Sequence, residues 1–161
     1  MRGRIDQLAP LLWHFACEVA IEDVQTLIDH EEYESAQHIM RRSEPGWFDQ
    51  YHSYTEIVEY MTALAGRFAG LAEFIPSIGK SVEGRDIPAL RIRQGKSAPK
   101  TIFFSGGIHA REHIAVSTVL YLATRLLEDS EQLEVNYLLS NLEFDIVPLA
   151  NPDGYEYSRN R

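Results

Sequence analysis

A short apolar run, two glycines, a polar cluster and a long apolar pattern follow one another between Thr101 and Asp129. No other part of the chain restricts its fold as much. Thr101–Phe104 is short and apolar on both faces, which suits a central strand. Gly106 and Gly107 let the backbone turn sharply straight afterwards. From His113 to Asp129, residues Ile114, Val116, Val119, Leu120, Leu122, Ala123, Leu126 and Leu127 cover most of the girth of a helix. A helix so covered packs on a sheet. Strand, tight turn and buried helix in that order predict an α/β layer.

The neighbouring segments extend it. Ser53 and Glu56 fit a capping box, each side chain satisfying a free backbone N–H of the other. Ile57, Met61, Leu64 and Phe68 follow at helical spacing, and Gly70 ends that helix. Leu71–Ile78 reads as a strand, Lys80–Asp86 as a turn and Ile87–Arg93 as a second strand. In that second strand Leu90 and Ile92 face one way and Arg91 and Arg93 the other, an alternation that suits a position near a sheet edge. Leu142–Ala150 is another strand, and Asn151-Pro152-Asp153-Gly154 reads as a turn after it. The order helix, hairpin, strand, helix, strand gives the fold class: α/β, with a partial mixed β-sheet flanked by helices.

Residues 1–42 differ in character. Val19–Ile21 reads as a strand end, and Glu22–Asp29 as an amphipathic helix with Val24, Leu27 and Ile28 on one face. A polar, acidic stretch from His30 to Gln37 leads to Arg41-Arg42, either an exposed processing site or a solvated helix end. The expected division is a head and linker over 1–42 and a second segment over 43–161.

Composition removes some function classes. At 161 residues, 45% hydrophobic and 24% charged, the chain can bury a core. A net charge of −9 argues against a nucleic-acid partner, which needs a basic face. Cys17 is the single cysteine, so no disulfide framework is expected. No run of 18 apolar residues is present and no membrane span is expected. Leu8–Ala20 is mostly apolar, but Asp6, Pro10, His14 and Glu18 interrupt it, and no convincing signal peptide is read there.

The polar cluster after the glycines, Ile108-His109-Ala110-Arg111-Glu112, carries the candidate chemistry. Residues three apart at a helix mouth lie on one side, so the His109 imidazole and the Glu112 carboxylate can converge on one ion. Open α/β sheets place ligands at such strand exits. A catalytic zinc keeps three protein ligands and an open position, of which this pair supplies two. The bland alternative is a loop histidine beside an acid favoured by a helix N-terminus. A rival zinc pattern overlaps: His109-Ala110-Arg111-Glu112-His113 is also H-x-x-E-H, with both histidines as ligands and Glu112 as base. That pattern wants one exposed face inside a long helix. The two upstream glycines and the apolar residues from Ile114 favour His109 with Glu112.

The stretch G-G-I-H-A-R-E-H-I, with N-P-D-G-Y some forty residues later, resembles the zinc metallocarboxypeptidases of the carboxypeptidase A/B type. Y-H-S-Y-T-E-I from Tyr51, I-G-K-S-V-E-G-R-D-I from Ile78 and S-R-N-R from Ser158 fit the same family in order and spacing. Glu18–Asp29 looks like the end of that family's inhibitory propeptide, with Arg41-Arg42 where activation cleavage falls. The resemblance implies the N-terminal portion of a zinc-carboxypeptidase-like α/β/α domain over 43–161, and hydrolysis of C-terminal peptide bonds by zinc-activated water. It implies His109 and Glu112 as ligands of one Zn2+, Arg111 and Arg161 as substrate-binding residues, and peptide or protein C-termini as substrates. Asn151–Gly154 would shape the turn bordering the cleft. It implies an extracellular or secretory location for the intact protein.

No catalytic residue is assigned. The family pattern places its third zinc ligand, general base and oxyanion arginine downstream of Arg161. The expectation is therefore an inactive fragment of an enzyme. A non-catalytic pseudoenzyme or peptidase-binding module is the alternative, and an inverzincin-type zinc protease a distant one.

Overall fold

The computed structural model describes residues 21, 23–40, 46–95 and 100–159. The chain divides into two compact units, 1–45 and 46–161. In the first, helix α1 spans Val24–Met40, so it continues through the polar stretch expected to follow a shorter helix. The Asp23 carboxylate accepts from the Gln25 N–H at 2.9 Å and satisfies one free donor of its first turn. Val19, Ala20, Cys17 and Arg41-Arg42 lie outside the described residues.

The second unit opens with a 3-10 turn, Trp47–Asp49, and helix α2, Tyr54–Arg67. The capping box is formed: Ser53 Oγ accepts from Glu56 N–H at 3.3 Å, and Glu56 Oε2 accepts from Ser53 N–H at 2.7 Å. Strands β1 (Ala72–Ile75), β2 (Ala89–Ile92) and β3 (Thr101–Ser105) follow. Helices α3 (His113–Glu128) and α4 (Leu133–Asn141), strand β4 (Glu143–Val147) and helix α5 (Pro152–Arg159) complete it. The sheet order is β1-β2-β4-β3, with β3 and β4 parallel and the other pairs antiparallel. This is the mixed sheet expected.

Register explains which face is covered. Leu90 pairs with Ile146 and Ile92 with Phe144, putting four apolar side chains on one face. Ile57, Met61 and Leu64 of α2 and Val116, Leu120 and Leu127 of α3 bury against them. Each such side chain contributes about 1.5–3 kcal/mol when fully buried. On the opposite face Arg91 pairs with Asp145, through Nε–Oδ1 at 2.8 Å and a second bond at 3.1 Å. Arg93 reaches Glu143 at 3.0 Å and Glu73 at 3.6 Å.

The structure refines one expectation and corrects two. Strand β2 lies second in the order, beside the edge strand β1, and its arginines, each 32% exposed, meet carboxylates on β1 and β4 as well as water. Strand β3 is not central: it ends the order of described strands, and Phe103 is 62% exposed while Ile102 and Phe104 turn toward the helices. Asn151–Gly154 is not a free-standing turn. Pro152 is the first residue of α5, where its missing N–H costs nothing, and Asn151 Oδ1 accepts from Gly154 N–H at 3.0 Å.

Candidate metal centre at the exit of the parallel strand

The segment between β3 and α3 is held from below. Gly106 donates to Val147 O at 2.9 Å, while Ala150 and Asn151 donate to Gly106 O and Gly107 O at 3.0 Å each. These bonds extend the parallel pairing of β3 and β4 past the strand ends. Both glycines are needed for the close approach. A Cβ on Gly106 would lie 2.8 Å from Pro148 O, and one on Gly107, whose φ is +60°, would lie 2.8 Å from Leu149 Cδ1 and Val116 Cγ2.

Above them, Glu112 N–H donates to His109 O at 3.3 Å, closing a turn that brings the two side chains to one side. Glu112 is the N-cap residue of α3, but its carboxylate makes no capping bond and turns outward instead. His109 Nδ1 and Glu112 Oε1 hydrogen-bond to each other at 2.8 Å, with side chains 77% and 53% exposed. Imidazole nitrogen and carboxylate oxygen thus converge where a cation has access, and this donor set suits zinc. Among the described residues no group of three His, Cys, Asp or Glu side chains is placed to hold an ion. The pair fits zinc as two of the donors that it needs.

Arg111 lies exposed between the two ligand candidates. Arg161 falls outside the described residues. His113 is not brought to the pair. Its ring stands edge-on to Tyr51 and Tyr155 at 5.4 and 4.9 Å, and Nε2 lies 2.9 Å from Ser158 Oγ.

Helix α5 contributes what the sequence did not announce. Asn151 Nδ2 donates to Ile108 O at 3.1 Å, and Ser158 Oγ donates to Ala110 O at 2.7 Å. The Tyr155 hydroxyl donates to His52 O at 2.8 Å and anchors α5 to the start of α2. Asp153 accepts from Ser81 Oγ at 2.7 Å, Glu83 N–H at 2.9 Å and Arg85 at 2.6 Å, clamping the Lys80–Asp86 turn to α5. Burial alone would raise the Asp153 carboxyl, but these donors outweigh it and hold it below the ordinary carboxylate range. An asparagine before Pro-Asp-Gly is a recognisable capping signal. Ser158 has none, because its carbonyl partner lies 48 residues away.

The sequence profile of the zinc carboxypeptidase family matches residues 57–161. Metallocarboxypeptidase A of Arthroderma otae is 34% identical over 145 residues, 88% of this chain and 34% of that protein. A protein of Ajellomyces capsulatus described as an inactive metallocarboxypeptidase is 42% identical over 117 residues, 70% of this chain and 19% of that protein. Among solved structures, carboxypeptidase A from Helicoverpa armigera superposes with a TM-score of 0.78 at 28% identity, covering 96% of this chain and 39% of that one. The chain thus spans about a third or less of the length of these curated relatives.

Proposed function

The chain belongs to the zinc carboxypeptidase family, and from that premise we propose that residues 43–161 are the N-terminal portion of a domain whose intact form removes C-terminal residues from peptides. Residues 1–42 are then the end of a propeptide with its linker, open to cleavage at Arg41-Arg42, and the intact protein takes the secretory route. One observation carries the reading: His109 Nδ1 and Glu112 Oε1, 2.8 Å apart and exposed, at the exit of a parallel strand.

In this reading His109 and Glu112 hold a zinc ion, which when bound lowers the pKa of its water and polarises a carbonyl. Arg111, exposed between them, holds the substrate chain through charge-assisted bonds, and Arg161 is assigned the same work. The family resemblance puts the third ligand, the base and the oxyanion arginine downstream of Arg161, and the matched residues cover 34% of the length of metallocarboxypeptidase A of Arthroderma otae. By themselves the 161 residues hold zinc weakly and do not turn over peptides. Zinc analysis with a peptidase assay on free and C-terminally amidated peptides tests this. Tight stoichiometric zinc with turnover of the free peptide would contradict it.

The tie of His113 to Ser158, between two tyrosine rings, supports the His109–Glu112 pair over the inverted H-x-x-E-H motif. A second reading, a non-catalytic relative that binds peptides or peptidases without cutting, is favoured by the inactive metallocarboxypeptidase of Ajellomyces capsulatus. Stoichiometric zinc without turnover in the intact protein would select it.

A further inference from the structure

We propose that Ser158 is a positioning residue for the His109–Glu112 pair, acting through the backbone between them and through His113; the inference rests on the reading of that pair as zinc ligands. Ser158 Oγ lies 2.7 Å from Ala110 O, 2.8 Å from Tyr155 O and 2.9 Å from His113 Nε2. A hydroxyl has one proton, and neither carbonyl can donate. The proton therefore lies between Ala110 O and Tyr155 O, with the shorter contact at Ala110 O, and His113 Nε2 meets the oxygen's lone pairs as a donor. That places a proton on Nε2 of His113, whose ring is already oriented by Tyr51 and Tyr155.

The grip falls inside the ligand turn and at its exit. Ala110 directly follows His109, and His113 directly follows Glu112. The turn's own backbone bond, Glu112 N–H to His109 O, is long at 3.3 Å. It sets the spacing of the two ligands only loosely. Gly154 allows the close seating of α5 beneath the turn, since a Cβ there would lie 3.1 Å from that of Ala110. Asn151 Nδ2 on Ile108 O holds the turn's entrance. Ser158 holds its centre and its exit. Partners standing behind metal ligands orient them, and their loss weakens metal binding by about 10–100-fold.

The test uses the whole 161-residue chain, its Ser158→Ala and its Ser158→Thr variants. Zinc is titrated while the His109 ring protons are followed by NMR, and hydrogen exchange of the Glu112 amide is measured without metal. The expected result is about a tenfold loss of zinc affinity in Ser158→Ala. Its Glu112 amide exchanges faster, and Ser158→Thr restores both quantities. Unchanged affinity in Ser158→Ala overturns the proposal. So does a Thr variant as weak as Ala, which would assign the effect to packing and not to the hydroxyl. A wild-type His109 ring that ignores zinc, while exchange still responds to Ser158→Ala, overturns the zinc reading itself and the positioning role with it.

Discussion

Gly106→Ala inserts a methyl group where the chain passes between two fixed backbone oxygens. The new Cβ would lie 2.8 Å from Pro148 O, just past β4, and 2.9 Å from Ala115 O, in the first turn of α3. Carbon and oxygen rest no closer than about 3.3 Å, so about half an ångström must come from parting the end of β4 from the start of α3. Neither oxygen sits on a flexible side chain. Overpacking of this kind costs about 1–3 kcal/mol. Gly107→Ala meets the ends of Leu149 and Val116 at 2.8 Å, and its φ of +60° adds a left-handed penalty of about 1–2 kcal/mol. We expect losses of about 1–3 kcal/mol for Gly106→Ala and about 2–5 kcal/mol for Gly107→Ala. The internal control is Gly66→Ala in α2, where a Cβ has nothing within 4 Å. It should be neutral or add up to about 1 kcal/mol. Urea unfolding reads all three as midpoint shifts, with slopes of about 1–3 kcal/mol per molar. If Gly106→Ala and Gly107→Ala both fall within about 0.5 kcal/mol of wild type, the backbone does not run beneath the His109–Glu112 turn as described.

Replacing both His109 and Glu112 by Ala should abolish zinc-induced NMR shifts at this turn while changing stability by less than about 0.5 kcal/mol, because both side chains are exposed. Tyr155→Phe removes the donor to His52 O inside the core and should cost about 1–2 kcal/mol in the same urea experiment. The Asp153 carboxyl is held below its ordinary value, so its contribution is fully present above the unfolded value near about 4 and is lost as pH falls through the folded value. Asp153→Asn should therefore flatten the acid limb of stability against pH, read from urea midpoints between about pH 5 and pH 2. A double-mutant cycle on Arg91 and Asp145 should give a coupling of about 0.5–1 kcal/mol that shrinks in salt, since both side chains are partly exposed.

Local signals in the sequence were sound where one element answers to its own residues. The Ser53–Glu56 box starts α2 as expected, and one face of α3 is buried at Val116, Val119, Leu120, Ala123, Leu126 and Leu127, while Ile114 is 64% exposed. Helix α4 carries no apolar stripe to mark it in the sequence: only Leu139 buries fully, while Leu133 and Tyr137 are 85% and 70% exposed. Strand order is hidden for another reason. Arg91 and Arg93 look like a wet face in one dimension; only the partners Asp145, Glu143 and Glu73, from two other strands, make that face a ladder. Asn-Pro-Asp-Gly serves a turn and a helix start equally well, and the distinction lies in whether the residues after Gly154 continue the helix. Spacing and strand context single out His109 and Glu112, and the structure brings these two side chains within 2.8 Å of each other. Ser158 and its carbonyl meet only through the packing of α5, which no local pattern encodes.

Anomalous scattering at the zinc edge, from crystals of the protein grown with zinc, tests the proposed His109–Glu112 zinc pair most directly. The peak is expected about 2.0–2.2 Å from both a His109 ring nitrogen and a Glu112 carboxylate oxygen. A zinc peak bound elsewhere, with either side chain turned away from it, would contradict the assignment of this pair as ligands.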